Sequence, residues 1–225
     1  KNIYKNKKLF LKKTLKKKIT VLDVGSGAGH FLKALEKNNI KATGIEPNKL
    51  MCKIGNQYLR RNKLLNKDLN QLERIVLNNT EEANCLSAIG VLEHLENPNG
   101  LLKAFKRSNF KYFYLSVPLF SFTSFIENSF QNVYPRHLSG GHTHLYTKDS
   151  IYYFAKKYRL SIVGEWWFGL DIADLYRSVI VSSSQVDKDS YKNSLNKYFY
   201  SILNDLQKKI DEKKLSSEVH LILSK

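Results

Sequence analysis

Through the first half of the chain, short runs of β-branched and apolar residues alternate with segments whose apolar positions recur every three or four residues. The run "ITVLDV" (19–24) ends in glycines, the pattern of a buried parallel strand. "HFLKALEKN" then sets Phe31, Ala34 and Leu35 on one helical face, and "KATGIE" (41–46) reads as a second strand, completing a βαβ unit. In "NKLMCKIGNQYL", Leu50, Met51, Ile54 and Tyr58 fall at helical spacing and predict a helix returning across the sheet. Such alternation predicts parallel strands.

Within 62–78, "KLLNKDL" is a weak third strand before "NQLERIVL". "NCLSAIGVL" (84–92) is a fourth strand, "NGLLKAFKRS" a helix after Pro98, and "KYFYLSVP" (111–118) a fifth strand stopped by proline. Thr147 caps "KDSIYYFAKKY", "LSIVGEWWF" supplies a sixth strand, and "EVHLILSK" closes the chain as the last. Over 188–213, Tyr191, Leu195, Tyr198, Ile202, Leu206 and Ile210 step along one stripe of a long helix, which would cover the sheet or support a dimer. The connection 119–146, with Phe120, Phe122, Phe125, Phe130 and Tyr134, is too long for an ordinary loop. It reads as a lid over the substrate, or as packing on the sheet edge, with a short helix in "TSFIENSF". The expected organisation is one domain over 1–225, with the lid at 119–146 and a helical insertion at 170–215 before the last strand.

Composition narrows the setting. Lysine and arginine total 37 against 20 acids, a net +17 that attracts polyanions. The densest run, "KNKKLFLKKTLKKK" (5–18), reads instead as an amphipathic helix with a solvated face, and a nucleic-acid partner is not expected. Cys52 and Cys85 stand in no metal-ligand or redox spacing, fit a reducing cytoplasm, and read as small core residues. The most apolar window, 112–125, is broken by Pro118 and too short to span a bilayer, so a cytoplasmic monomer or homodimer without membrane contact is expected.

Candidate chemistry begins at "DVGSGAGHF" (23–31). A strand, a glycine turn and a helix N-terminus present backbone N–H groups and allow a ligand close to the main chain. The dinucleotide fingerprint is G-x-G-x-x-G, whereas Gly25, Gly27 and Gly29 give G-x-G-x-G, with Asp23 in the strand end. A buried carboxylate there repels a pyrophosphate and welcomes an ammonium group. Glu46, 21 residues after Gly25, stands where a carboxylate can accept hydrogen bonds from both ribose hydroxyls. That is the charge pattern of S-adenosylmethionine: cationic amino-acid end, sulfonium, ribose, adenine and no phosphate.

On these residues the chain resembles the class I S-adenosylmethionine-dependent methyltransferases. "VLDVGSGAGHF" looks like their first motif, "GIEP" like the acidic second-strand end, "IGVLEHLENP" like the fourth-strand segment and "YLSVP" like the fifth. Within that superfamily it is most similar to a small-molecule group in which a segment like "HLYTKDSI" follows the fifth strand. The resemblance implies an α/β, Rossmann-like seven-stranded sheet, mostly parallel with the last strand antiparallel, and helices on both faces. It implies S-adenosylmethionine as cofactor, S-adenosylhomocysteine as product, and a cofactor site at Asp23, Gly25, Ser26, Gly27, Gly29, Glu46, Pro47, Gly90 and Glu93. Asp68 is matched to the acid near the adenine amine. "RSNFKYFY" departs from the family in lacking the proline–glycine turn often found before the fifth strand.

Methyl transfer is an in-line displacement, so the protein aligns the reactants and removes a proton when the acceptor is a hydroxyl. His94 follows the fourth strand, and "PRHLSGGHTHLY" supplies His137, His142, His144 and Tyr146. The candidate bases are His144, His142 and His94. The H-x4-H-x-H spacing also admits metal ligation or a purely structural role, and no metal is expected. Phe120, Tyr146 and Trp167 are candidate substrate contacts, while Trp166, Asp171, Asp174 and Arg177 could line a far wall. The function implied is methyl transfer to a small metabolite, such as a sugar or another polyol. An RNA methyltransferase is the alternative, although "GVLEHLENP" lacks the Asn/Asp-Pro-Pro-aromatic tetrad of enzymes acting on base amines. A non-catalytic S-adenosylmethionine-binding protein is the third reading.

Overall fold

The computed structural model describes residues 3–78, 82–139, 141–183 and 188–225. Position 140 of the expected lid and 184–187 of the expected helical insertion lie outside the described residues, as do 1–2 and 79–81. Two compact units emerge: residues 1–116, 149–166 and 220–225 form the first, and 117–148 with 167–219 the second.

The alternating pattern folds as βα repeats. In order these are α1 (Ile3–Thr14), β1 (Thr20–Val24), α2 (His30–Glu36), β2 (Lys41–Glu46), α3 (Lys49–Tyr58), β3 (Lys63–Asn66), α4 (Leu72–Leu77), β4 (Cys85–Ile89), α5 (Pro98–Arg107) and β5 (Tyr112–Pro118). Then follow α6 (Phe122–Ser129), α7 (Lys148–Lys157), β6 (Ser161–Phe168), α8 (Asp171–Ser182), α9 (Lys188–Leu195), α10 (Leu203–Glu212) and β7 (Glu218–Ser224). The strands hydrogen-bond in the order β3-β2-β1-β4-β5-β7-β6. β1 pairs in parallel with β2 and β4, β2 with β3, and β4 with β5, while β7 runs antiparallel. Chain order reverses between β1 and β4, and in open α/β sheets ligands settle at such a switch point, beyond the carboxyl ends of the strands.

Side chains follow from this layering. β1 is covered on both faces, so Val21, Leu22 and Val24 are all buried and the run needs no polar alternation. Phe31, Leu32 and Leu35 of α2 join Leu11, Leu15 and Tyr114 in the core of the first unit. Cys52 and Cys85 are buried free thiols, as their isolation in sequence suggested. The α3 helix forms where its spacing predicts, with Asn48 capping the N–H groups of Leu50 and Met51, but its inner face is Cys52 and Gly55. Leu50, Met51 and Ile54 are exposed. Gly55 can pack inward because a Cβ there would lie 2.3 Å from Leu64 Cδ1, an approach only glycine permits.

In the second unit, three buried carboxylates hold connections together. Asp171 accepts from Ser121 Oγ (2.8 Å), Thr123 Oγ1 (2.9 Å), Ser217 N (3.0 Å), Thr123 N (3.2 Å) and Gln207 Nε2 (3.2 Å). Glu127 of α6 accepts from the backbone N–H groups of Arg136, His137 and Leu138. Asp174 takes Arg136 Nη2 at 2.6 Å. Asp171 and Asp174, expected on a pocket wall, are thus buried ties between segments. The single long helix expected over 188–213 is broken: α9 passes into a π-turn at Asn196–Tyr200 before α10 begins. A π-turn shifts the helical phase, so the stripe drawn from regular spacing does not stay on one face. Tyr198, Ile202 and Leu206 of that stripe are exposed.

Candidate active site

The loop after β1 is bound to the end of β2. Gly25 N and Ser26 N donate to Ile45 O at 2.9 and 3.1 Å, Gly27 N to Glu46 Oε2 at 2.7 Å, and Gly29 N to Ser26 O at 3.0 Å. The sequence suggested free amides here, but these four are already committed, which leaves them unavailable to a pyrophosphate. The backbone also explains the residue types. Gly25 has φ +70°, and a Cβ would lie 2.6 Å from Val91 Cγ2. Gly27 has φ +52°, and no atom lies within 4 Å of where a Cβ would point, so a ligand can approach the main chain there.

Glu46, 8 % exposed, sits at the β2 end. Its Oε1 accepts from Asn48 N at 2.9 Å and its Oε2 from Gly27 N, so each oxygen keeps acceptor capacity for a second donor. It lines a cavity of about 590 Å³ with Gly25, Pro47, Gly90 and His94, and with Leu69, Asn70 and Leu101. Gly90 adopts φ +69°, and its N–H donates to Ser116 Oγ at 3.1 Å. Glu93 is buried in the short turn Leu92–His94, whereas His94 is exposed at the cavity wall.

Other expected cofactor residues take supporting positions. Asp23 is 3 % exposed and its Oδ1 accepts from Ser87 Oγ at 2.5 Å. Burial raises its carboxyl to about 6, against the lowering effect of the Ser87 and Ser26 hydroxyls. Ser26 Oγ donates to Asp23 O and fastens the turn. Gly29 packs against Leu59 and Leu64. Asp68 is exposed and caps the turn at Leu69–Gln71 by accepting from Asn70 N; its neighbours Leu69 and Asn70 reach the cavity. Asn70 was not singled out from the sequence, since nothing in its spacing marks it.

The raised Asp23 carboxyl has a measurable consequence. An acid whose folded-state pKa exceeds its ordinary 3.8 favours folding less as pH rises through the interval to about 6. An ammonium group bound within its field would pull the pKa down and release the proton. Cofactor affinity is therefore expected to rise about tenfold from pH 5 to pH 7, with proton release at the lower pH. Calorimetry in buffers of different ionisation enthalpy checks it, and a flat profile would show that no cation binds near Asp23.

In the second unit the histidines hold the connection. His142 Nδ1 donates to His137 O at 2.9 Å, and His144 Nδ1 lies 2.8 Å from Thr143 Oγ1, its ring stacked on Tyr146. His137 is buried, its Nε2 accepting from Arg136 Nη1 at 2.7 Å, and burial beside that guanidinium lowers its pKa to about 4. That guanidinium occupies the Nε2 side of His137, and its Nδ1 is buried. Tyr146 O accepts from the N–H of the exposed Phe120. Trp167 is only 8 % exposed, with Lys214 Nζ over its ring, and offers little surface to a substrate.

Sheet order, the cavity beyond β1, β2 and β4, and an acceptor carboxylate at the β2 end define a Rossmann-like enzyme built for a nucleoside cofactor without phosphate. The chain belongs to the methyltransferase-domain family, whose sequence profile matches residues 2–164. It is similar in fold to a methyltransferase from Archaeoglobus fulgidus described as dependent on S-adenosylmethionine, at 13 % identity and a TM-score of 0.61, covering 99 % of this chain and 93 % of that one. It is likewise similar to the mycolic acid cyclopropane synthase CmaA1 (15 %, 0.59, 98 % and 83 %) and to the plantazolicin methyltransferase BpumL (16 %, 0.56, 100 % and 83 %). No curated protein matches it.

The family's methyl donor is S-adenosylmethionine, and the chain is an enzyme that uses it. The residues present fit that group: Glu46 has two oxygens with spare acceptor capacity, and Gly27 leaves open space. No described helix is long and apolar enough to cross a membrane.

Proposed function

We propose that this enzyme methylates a small-molecule acceptor, a sugar or another polyol metabolite, with His94 as the group that takes the acceptor's proton. The observation that carries this reading is that the His94 imidazole and the Glu46 carboxylate line the same 590 Å³ cavity. Bound S-adenosylmethionine supplies an electrophilic methyl on a sulfonium. Glu46 and the Gly25–Gly27 turn hold the nucleoside, Asp23 balances the positive charge, and His94 accepts a hydroxyl proton. Two structural neighbours, named as a plantazolicin methyltransferase and a mycolic acid cyclopropane synthase, support an acceptor other than nucleic acid.

His94→Ala is expected to lower kcat by about 10²-fold or more, the usual contribution of a positioned base, and to change cofactor affinity less than about twofold. Equal loss in both quantities would assign His94 to cofactor binding. His144→Ala, whose ring is engaged by Thr143 and Tyr146, serves as the comparison. The acceptor class is tested by incubating the enzyme with methyl-labelled S-adenosylmethionine and sugars, phenols, amines or RNA. Label in a hydroxylated metabolite supports the proposal, and label in RNA alone overturns it.

A further inference from the structure

The lysine-rich opening of the chain reads in sequence as a solvated helical face, yet α1 and α2 enclose a second cleft, of about 330 Å³. It is lined by Lys5 and Lys8 of α1, His30 and Lys33 of α2, Lys37 just beyond, and Tyr4. No carboxylate lines it. Glu36 stands nearby, pairing with Lys33 Nζ at 2.7 Å and accepting from the N–H groups of Arg60, Arg61 and Asn62. Along one edge three rings follow one another: His30 lies 5.4 Å from Tyr4 and 5.9 Å from Tyr58, the latter pair nearly parallel at 15°. The Tyr58 hydroxyl is fixed on Ala28 O, so this row is held to the loop after β1.

We infer that this cleft binds the phosphate backbone of a single-stranded nucleic acid, with the Tyr4–His30–Tyr58 row as the surface on which a base stacks. The methylated acceptor is a separate question, and the inference goes beyond the activity proposed above. Residues 3–18 carry eight lysines and no acid, and at about 1.5 Å per residue the charges of α1 spread over the length of several phosphates rather than converging on one. Lys12, Lys13 and Lys16 to Lys18 are exposed and continue the charge beyond the cleft. The cleft is concave, with His30, Lys33 and Lys37 contributed by the α2 side, so a strand can enter it where a bilayer surface cannot. Stacking on this row, in which the His30 ring is exposed and those of Tyr4 and Tyr58 are half-buried, requires unpaired bases, which selects a single strand over a duplex.

The test is fluorescence anisotropy of a labelled, unstructured RNA of about a dozen nucleotides with the full chain across a salt series. Binding is expected at about 100 mM salt, falling linearly in log–log form. Lys8→Glu with Lys37→Glu should weaken it at least about tenfold and reduce the slope by about 1.4, two single-strand contacts at 0.7 each, while S-adenosylhomocysteine affinity stays constant. Tyr4→Ala should weaken binding without changing the slope. Lys208→Glu with Lys209→Glu on α10 removes the same charge elsewhere and should cost less than about twofold. The inference is overturned by absence of binding at about 100 mM salt, by equal loss in the α10 control, by equal affinity for duplex RNA, or by binding to anionic-lipid vesicles that RNA does not displace.

Discussion

Glu46→Ala is expected to weaken S-adenosylmethionine binding by more than about 100-fold, the largest effect of any single substitution at the cavity. Hydrogen bonds to a charged acceptor contribute about 1.5–3 kcal/mol each, and the two ribose hydroxyls would lose both of theirs. The substitution also removes the acceptor for Gly27 N at 2.7 Å and Asn48 N at 2.9 Å, so the loop loses its tie to β2. Glu46→Gln keeps shape and one acceptor oxygen and should fall between wild type and alanine. Calorimetric titration, with circular dichroism to confirm the fold, measures this. Affinity retained within about threefold in the alanine variant would remove Glu46 from the cofactor site.

Asp171→Ala is expected to lower stability by about 3–5 kcal/mol, because it leaves several buried donors without their shared acceptor. For a chain of this length that is about 10 °C or more in Tm. Hydrogen bonds from Ser121, Gln207, Ser217 and Thr123 hold the Asp171 pKa below its usual 3.8 despite burial. Such a depressed acid contributes stability that is complete above its unfolded pKa and is lost as pH falls through the folded one. The wild-type advantage over Asp171→Ala should therefore be full at neutral pH and shrink only below about pH 4. Thermal denaturation at pH 7 and pH 3 separates the cases, and an unchanged Tm at pH 7 would mean that the network is replaced by water.

The sequence made the βα repeat legible because a strand covered on both faces needs no polar alternation: β1 is buried from Val21 to Val24 and β5 from Phe113 to Pro118. It also placed Glu46, since an acid at the end of a second strand is a pattern independent of packing. What it could not show depended on three-dimensional neighbours. The exposed stripe Leu50, Met51 and Ile54 announces a helix correctly but names the wrong face, because Gly55 and Cys52 are the residues small enough to sit against β3. The π-turn at Asn196–Tyr200 carries no residue that breaks a helix by itself, so the regular spacing of the stripe conceals it. Asp171 and Glu127 look like surface acids until the hydroxyls and amides that surround them are brought together by the fold.

Asp23 shows the same limit at the site itself. Its place before the glycines suggests a carboxylate facing the ligand, whereas it is buried against Ser87 and does not line the cavity, so in the proposed reading it acts by charge rather than by contact. Selection of a cationic cofactor then rests on two features together: the buried acids Asp23 and Glu46, and loop amides already spent on Ile45 O, Glu46 and Ser26 O.

A single competition titration tests that selection most directly: S-adenosylhomocysteine is added to the enzyme at pH 7, alone and in excess ATP or NAD. One-site binding unaffected by either phosphate-bearing nucleotide is the result that follows from the geometry. Displacement of S-adenosylhomocysteine by ATP or NAD would contradict it.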